Sequence, residues 1–182
     1  WEVQNKNIVQ YSHGLLSMVS YLRGKEIPLK YLDLDILGIS HKNISSIKDI
    51  ICKIYNENEI LFTGISSLIT NYRSVRSIIA VIRDISPDQL IMVGGSLGAT
   101  LPQSLRDDIG ADILVDRDGE YVCEHVYKIL LRDRSYSKSK LINVVLGLPR
   151  WFDVSNADIP AYDILDMKRY IKKNAVNNRM FS

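Results

Sequence analysis

Three short apolar runs, "ILFTGI" at 60–65, "QLIMVGG" at 89–95 and "ADILV" at 111–115, constrain the fold of this chain more than any other feature. Each is too short for a helix, is rich in β-branched or aliphatic residues and ends on a glycine or polar turn. That is how a strand buried on both faces reads. Helical patterns separate the runs. Val75, Ile78, Ile79, Ile82 and Ile85 form an amphipathic stripe that leaves Arg73, Arg76 and Arg83 to the solvent side, residues 101–108 fit a short helix, and residues 120–132 fit a longer one.

Upstream, Leu15, Met18, Val19 and Leu22 recur at helical spacing from Ser12 onward and stop at Gly24, a candidate cap. A strand fits Leu29 to Leu34, and Ile44, Ile47, Ile51 and Ile54 mark a second amphipathic helix starting near Ser45 or Ser46. Strands alternating with crossover helices imply parallel pairing with helices on both faces. The expected fold is therefore α/β and doubly wound, around a mostly parallel five-stranded sheet. A first strand before the opening helix has only "NIVQY" to supply it. After Arg132 the pattern weakens: "DRSYSKSK" reads as a polar linker, "LINVVL" as one more possible strand, and Pro160 as the start of a turn or short helix. Residues 1–134 are thus read as one domain and 135–182 as a connector. The chain begins with Trp1, which suggests a piece of a longer protein.

Among 182 residues the net charge is only +2, with both signs interspersed, so no nucleic-acid footprint is expected. No apolar run is long enough to span a bilayer and no leader is evident, which points to a cytoplasmic protein without a membrane partner. Cys52 and Cys123 stand far apart, outside any metal-ligand spacing, and read as small buried hydrophobes.

In an open parallel sheet, ligands bind beyond the carboxyl ends of the strands. Four clusters fall there: Asp33 with Asp35, "GISSLITN" at 64–71, "GGSLGAT" at 94–100 and "DRDGE" at 116–120. Gly94, Gly95 and Gly98 have the wrong spacing for a dinucleotide fingerprint, and no phosphate-binding GxxxxGK[ST] is present. A receiver domain needs an aspartate where Ser66 stands. Ser66 and Ser67 lack a nucleophile frame, and His13, His41 and His125 lie outside the clusters.

Taken in order, these loops resemble the cobalamin-binding domain of cobalamin-dependent radical S-adenosylmethionine enzymes. "HGLLSMVSYLRGKEIPLKYLDLD" is similar to that family's opening helix and second strand. "GISSLITNYRSVRSIIAVIRDISPDQLIMVGGSLGATLPQSL" is similar to its GxSxxTxNxxxAxxxAxxIKxxxPxxxxVxGGPHATxxPExx core, "ADILVDRDGE" to its VDYVVRGEGE, and "DIPAYDIL" to the LPxPAYDLL that leads towards the radical domain. The order and spacing carry the likeness, over nearly the whole chain.

The resemblance implies a Rossmann-like, flavodoxin-like domain that holds cobalamin at the sheet edge, its nucleotide tail passing between sheet and helix. Ser66 and Leu68 match the element lining the tail pocket, with Ser67 between them. Gly94 and Gly95 match the glycine pair beside it, followed by Ser96, while Thr70 adds a hydroxyl. Gly119 and Glu120 match the loop that closes the site. The 4Fe–4S cluster and S-adenosylmethionine would belong to the parent's radical domain, the implied partner, since two cysteines cannot hold such a cluster; methyl transfer, ring formation or rearrangement would be that parent's chemistry, and this piece alone would not be catalytic.

Three departures stand out. Leu97 replaces the histidine of GGPHAT, Ser96 its proline, and Arg117 the first glycine of RGEGE. The DxHxxG motif of other cobalamin domains is absent, and the spacing of His41 from Asp35 does not restore it. The alternative is a doubly wound regulatory or protein-interaction module without a corrinoid.

Overall fold

A computed structural model describes residues 11–37 and 44–179. "NIVQY", except for its last residue, and His41 lie outside them. Three parallel strands, β1 (Phe62–Ser66), β2 (Leu90–Gly94) and β3 (Ile113–Leu114), lie side by side in chain order. The described sheet is therefore an open parallel one of three strands, where five were expected.

Helices cover both faces. In chain order the helices begin with α1 (His13–Gly24), α2 (Leu34–Leu37) and α3 (Ile44–Glu57). They are followed by α4 (Tyr72–Ile85), α5 (Gly95–Thr100), α6 (Gln103–Ile109), α7 (Gly119–Arg132), α8 (Lys138–Gly147) and α9 (Met167–Arg179). The central strand explains the cover on both faces. Successive side chains alternate across a sheet, so Leu90 and Met92 enter a core with Leu22, Val122, Val126 and Leu141 of α1, α7 and α8. Ile91 and Val93 enter a second core with Ile47, Ile51, Val75, Ile79 and Ile82 of α3 and α4. A strand that must satisfy two cores has no room for polar residues, hence the run "LIMV".

Two expected strands are corrected. Residues 27–33 form no strand. Asp33 instead accepts the Ile36 amide on its Oδ1 at 3.0 Å and starts α2 at Leu34. "LINVVL" is helical: Ser137 caps α8 by accepting the Lys140 amide, and Leu141 and Val145, four apart, are both buried. The aliphatic residues satisfy a helix stripe, and burial overrides the β preference of the paired valines. The segment 101–108 also holds its helix later than expected, as α6, because residues 95–100 form α5.

The end of α1 differs in detail. Gly24 is the last helical residue, and the left-handed conformation falls on Glu26, with φ of 58°. A side chain there is strained relative to glycine. Glu26→Gly is expected to raise the unfolding free energy by about 0.5–1 kcal/mol, read as a higher urea midpoint.

The arginines of α4 divide. Arg73 is exposed, and Arg76 pairs at the surface with Asp108 at 3.0 Å. Arg83, expected in solvent, folds back to donate to the Pro87, Gln89 and Gly110 carbonyls and to Asp112. It joins the end of α4 to the amino edge of the sheet.

Candidate functional site

The carboxyl edge is built by register. Ser66 pairs with Gly94 and Gly64 with Met92, so Gly64, Ser66 and Gly94 share the face covered elsewhere by α1, α7 and α8. That cover reaches Phe62 but stops short of the carboxyl end of β1. Gly64 and Ser66 are exposed, and a Cβ added at Gly64 meets nothing within 4 Å. One added at Gly94 meets only Val115 Cβ, at an ordinary 3.7 Å. The result is an open slot floored by two glycines and a serine.

The loops after β1 and β2 are interlocked beside it. The Ser67 amide donates to the Gly94 carbonyl at 3.3 Å and the Leu97 amide to the Ser67 carbonyl at 3.0 Å. The Ile69 amide donates to Ser96 Oγ at 3.2 Å, and Thr100 Oγ1 to the Ser96 carbonyl. Ser66, Ser67, Leu68, Thr70, Gly94, Gly95 and Ser96 are thus brought together. Leu68 is 62% exposed and Ile69 41%, so the rim of the slot is apolar. Neither Ser66 Oγ nor the Thr70 hydroxyl has a hydrogen-bond partner among the described residues.

Other bare positions have internal causes. Gly95 has φ of +70°, and a Cβ there would stand 2.6 Å from the Ser67 carbonyl oxygen. Its bareness serves the interlock. Gly98 is tighter still, with a Cβ falling 2.4 Å from the Val93 oxygen and 2.7 Å from the Val115 oxygen. Leu97, in place of the expected histidine, is fully buried in the α3–α4 core. That position faces inward and offers nothing to a ligand's rim.

The "DRDGE" segment is engaged with its neighbours. Arg117 donates to the Leu146 and Leu148 carbonyls at the end of α8 and pairs with Asp116 at 3.0 Å. Asp118 donates its amide to the Arg150 carbonyl and accepts the Phe152 amide at 2.7 Å. A Cβ on Gly119 would meet Met18 Sδ at 2.8 Å, so this glycine leaves room beside α7 for a side chain of α1. Glu120 is buried there; burial holds its carboxyl above the usual carboxylate range, its own amide opposes this, and the nearby charge of Asp118 adds to it.

Among the described residues no group of three or more histidine, cysteine, aspartate or glutamate side chains is arranged to hold a metal ion. Cys123 is buried in α7, its thiol pushed up to about 12 by burial first and Glu120 second, while Cys52 on α3 is half-buried. His125 donates from Nδ1 to the Tyr121 carbonyl one turn back on its own helix, and His13 meets the Tyr162 hydroxyl at 3.1 Å.

Sequence reasoning passed over Gly64 as a site residue. The signal was there: a glycine inside an otherwise β-branched strand marks a close approach to something. No helix among the described residues is long and apolar enough to cross a membrane. Compared with known proteins, the chain matches no family model, no curated protein and no solved structure.

Proposed function

We propose that the chain is a cobalamin-binding domain, acting at the carboxyl edge of its sheet as part of a cobalamin-dependent radical S-adenosylmethionine enzyme. The observation that carries this reading is the slot at Gly64, Ser66 and Gly94: a row of little side-chain bulk, exposed at Gly64 and Ser66 and half-buried at Gly94, on the strand ends where the family resemblance puts the corrinoid tail. A doubly wound domain normally buries both faces of its strands. A bare, open strand end is unusual unless something lies on it.

The residues present fit such a group. Gly64 and Gly94 leave the backbone accessible, Leu68 offers apolar contact, and the Ser66 and Thr70 hydroxyls remain to hydrogen-bond a phosphate or base. Ser96 accepts from Ile69, so its own hydroxyl proton is still available. When bound, the corrinoid supplies the cobalt chemistry, such as carrying a methyl group; the protein supplies position and exclusion of water. The 4Fe–4S cluster and S-adenosylmethionine belong to the radical domain of the parent, in the cytoplasm. The rival reading, a module without a corrinoid, draws on the internal packing that accounts for Gly95, Gly98 and Gly119.

The test is direct. Purified chain mixed with hydroxocobalamin and desalted is expected to retain a corrin absorption spectrum. Gly64→Leu fills the slot without touching the packed interior, so it should stay folded by circular dichroism and bind at least about tenfold more weakly, a loss of roughly 1.4 kcal/mol. No retained corrinoid, or unchanged affinity in the folded variant, favours the rival.

A further inference from the structure

The charges of α9 run against its own backbone. Lys168, Arg169, Lys172 and Lys173 fall in its first seven residues with no acidic residue in the first turn, although the amino end of a helix disfavours cations. Lys168, Arg169 and Lys172 are exposed and enter no ion pair among the described residues. Asp166, just before the helix, accepts the Arg169 amide at 3.0 Å and offsets part of that cost.

The roll of the helix is fixed by Tyr170, which is buried and donates its hydroxyl to Asp33. With that side turned inward, Met167 and Ile171 lie one above the other on the neighbouring ridge, 42% and 64% exposed. Lys168 and Lys172, also four apart, form the next ridge. An apolar ridge therefore runs beside a cationic one along an exposed helix.

We propose that this face of α9 rests on an anionic lipid surface. Met167 and Ile171 would enter the boundary below the headgroups, while the ammonium groups meet lipid phosphates and carboxylates. A nucleic acid is the weaker fit, since it gains nothing from the apolar ridge and the buried Tyr170 ring is out of reach for base stacking. The expectation of no membrane partner rested on the lack of a spanning segment, which does not bear on a helix lying in the interface plane. The proposal is independent of the corrinoid reading.

The experiment is cosedimentation of the full chain with phosphatidylcholine vesicles and with vesicles that also contain about 30% phosphatidylserine, at moderate salt. Binding is expected only to the anionic vesicles. Lys168→Gln with Lys172→Gln should weaken it about thirtyfold. Ile171→Ser, with every charge intact, should weaken it about fivefold, which a purely electrostatic contact would not show. Equal binding to both vesicle types or to neither, no effect of Ile171→Ser, or retention by short single-stranded nucleic acid without vesicle binding each overturns the proposal.

Discussion

Gly98→Ala is expected to lower the unfolding free energy by about 3 kcal/mol, at the upper end of what overpacking costs. The added methyl would sit inside van der Waals distance of two carbonyl oxygens, Val93 and Val115, which belong to neighbouring strand ends. Neither oxygen can retreat. The Val115 amide donates to the Val93 oxygen at 2.8 Å, so moving it breaks the tie between β2 and the residue after β3. The alternative is for α5 to lift, which draws Leu97 out of the core it fills. By thermal unfolding the variant should melt roughly 6–12 °C lower than the parent chain. Gly64→Ala is the control, since its methyl enters open space and should change stability by less than about 0.5 kcal/mol. A Gly98→Ala protein as stable as the control would mean that α5 is not locked to the sheet.

The contrast between these glycines shows how far the sequence could be read. "QLIMVGG" announces a buried strand and a bare turn because four apolar residues without a polar break can only lie between two cores. The parallel order also follows, so the meeting of Ser66 with Gly94 was legible: sequential parallel strands bring successive strand ends together. What no sequence pattern carries is the cause of each glycine. Gly95 answers to a left-handed backbone and the Ser67 carbonyl, Gly98 to two oxygens from other strands, and Gly119 to a sulfur on α1. All depend on the folded surroundings, whereas Gly64 and Gly94, the glycines of the slot, have no such close neighbour. The misread strands failed for local reasons. Asp33 diverts its segment by capping Ile36, and Ser137 turns "LINVVL" into a helix by capping Lys140, both short polar side chains competing for backbone amides. Arg83 was misread because a long side chain on a solvent-facing stripe can reach back over the helix end to carbonyls that a periodicity plot cannot see.

Arg83 leads to the second large effect. Asp112, just before β3, accepts on one carboxylate from the Arg83 guanidinium at 2.7 Å, from Lys138 at 2.7 Å and from the Ile91 amide at 2.7 Å, while its own amide donates to the Ile91 carbonyl at 2.9 Å. Its side chain is only 13% exposed. One residue thus ties α4, α8 and the amino ends of β2 and β3. Asp112→Ala leaves the Ile91 amide without its acceptor and takes the counter-charge from a guanidinium that keeps only carbonyl partners, and should cost about 3 kcal/mol. Lys138→Met removes an ammonium that is 44% exposed, so it should cost about 1 kcal/mol or less. Burial opposes the charged form of Asp112, but the hydrogen bonds from Lys138, Arg83 and Ile91 outweigh it and hold the carboxyl below the usual range. Because the folded form is the stronger acid, its contribution is fully present above the unfolded value of about 3.9 and fades as pH falls through the folded one. Urea midpoints measured from pH 7 down to pH 3 should therefore decline less steeply at the acid end in Asp112→Ala than in the parent chain. Parallel curves would show that the carboxylate, despite its three donors, adds nothing to the charged form when the protein folds.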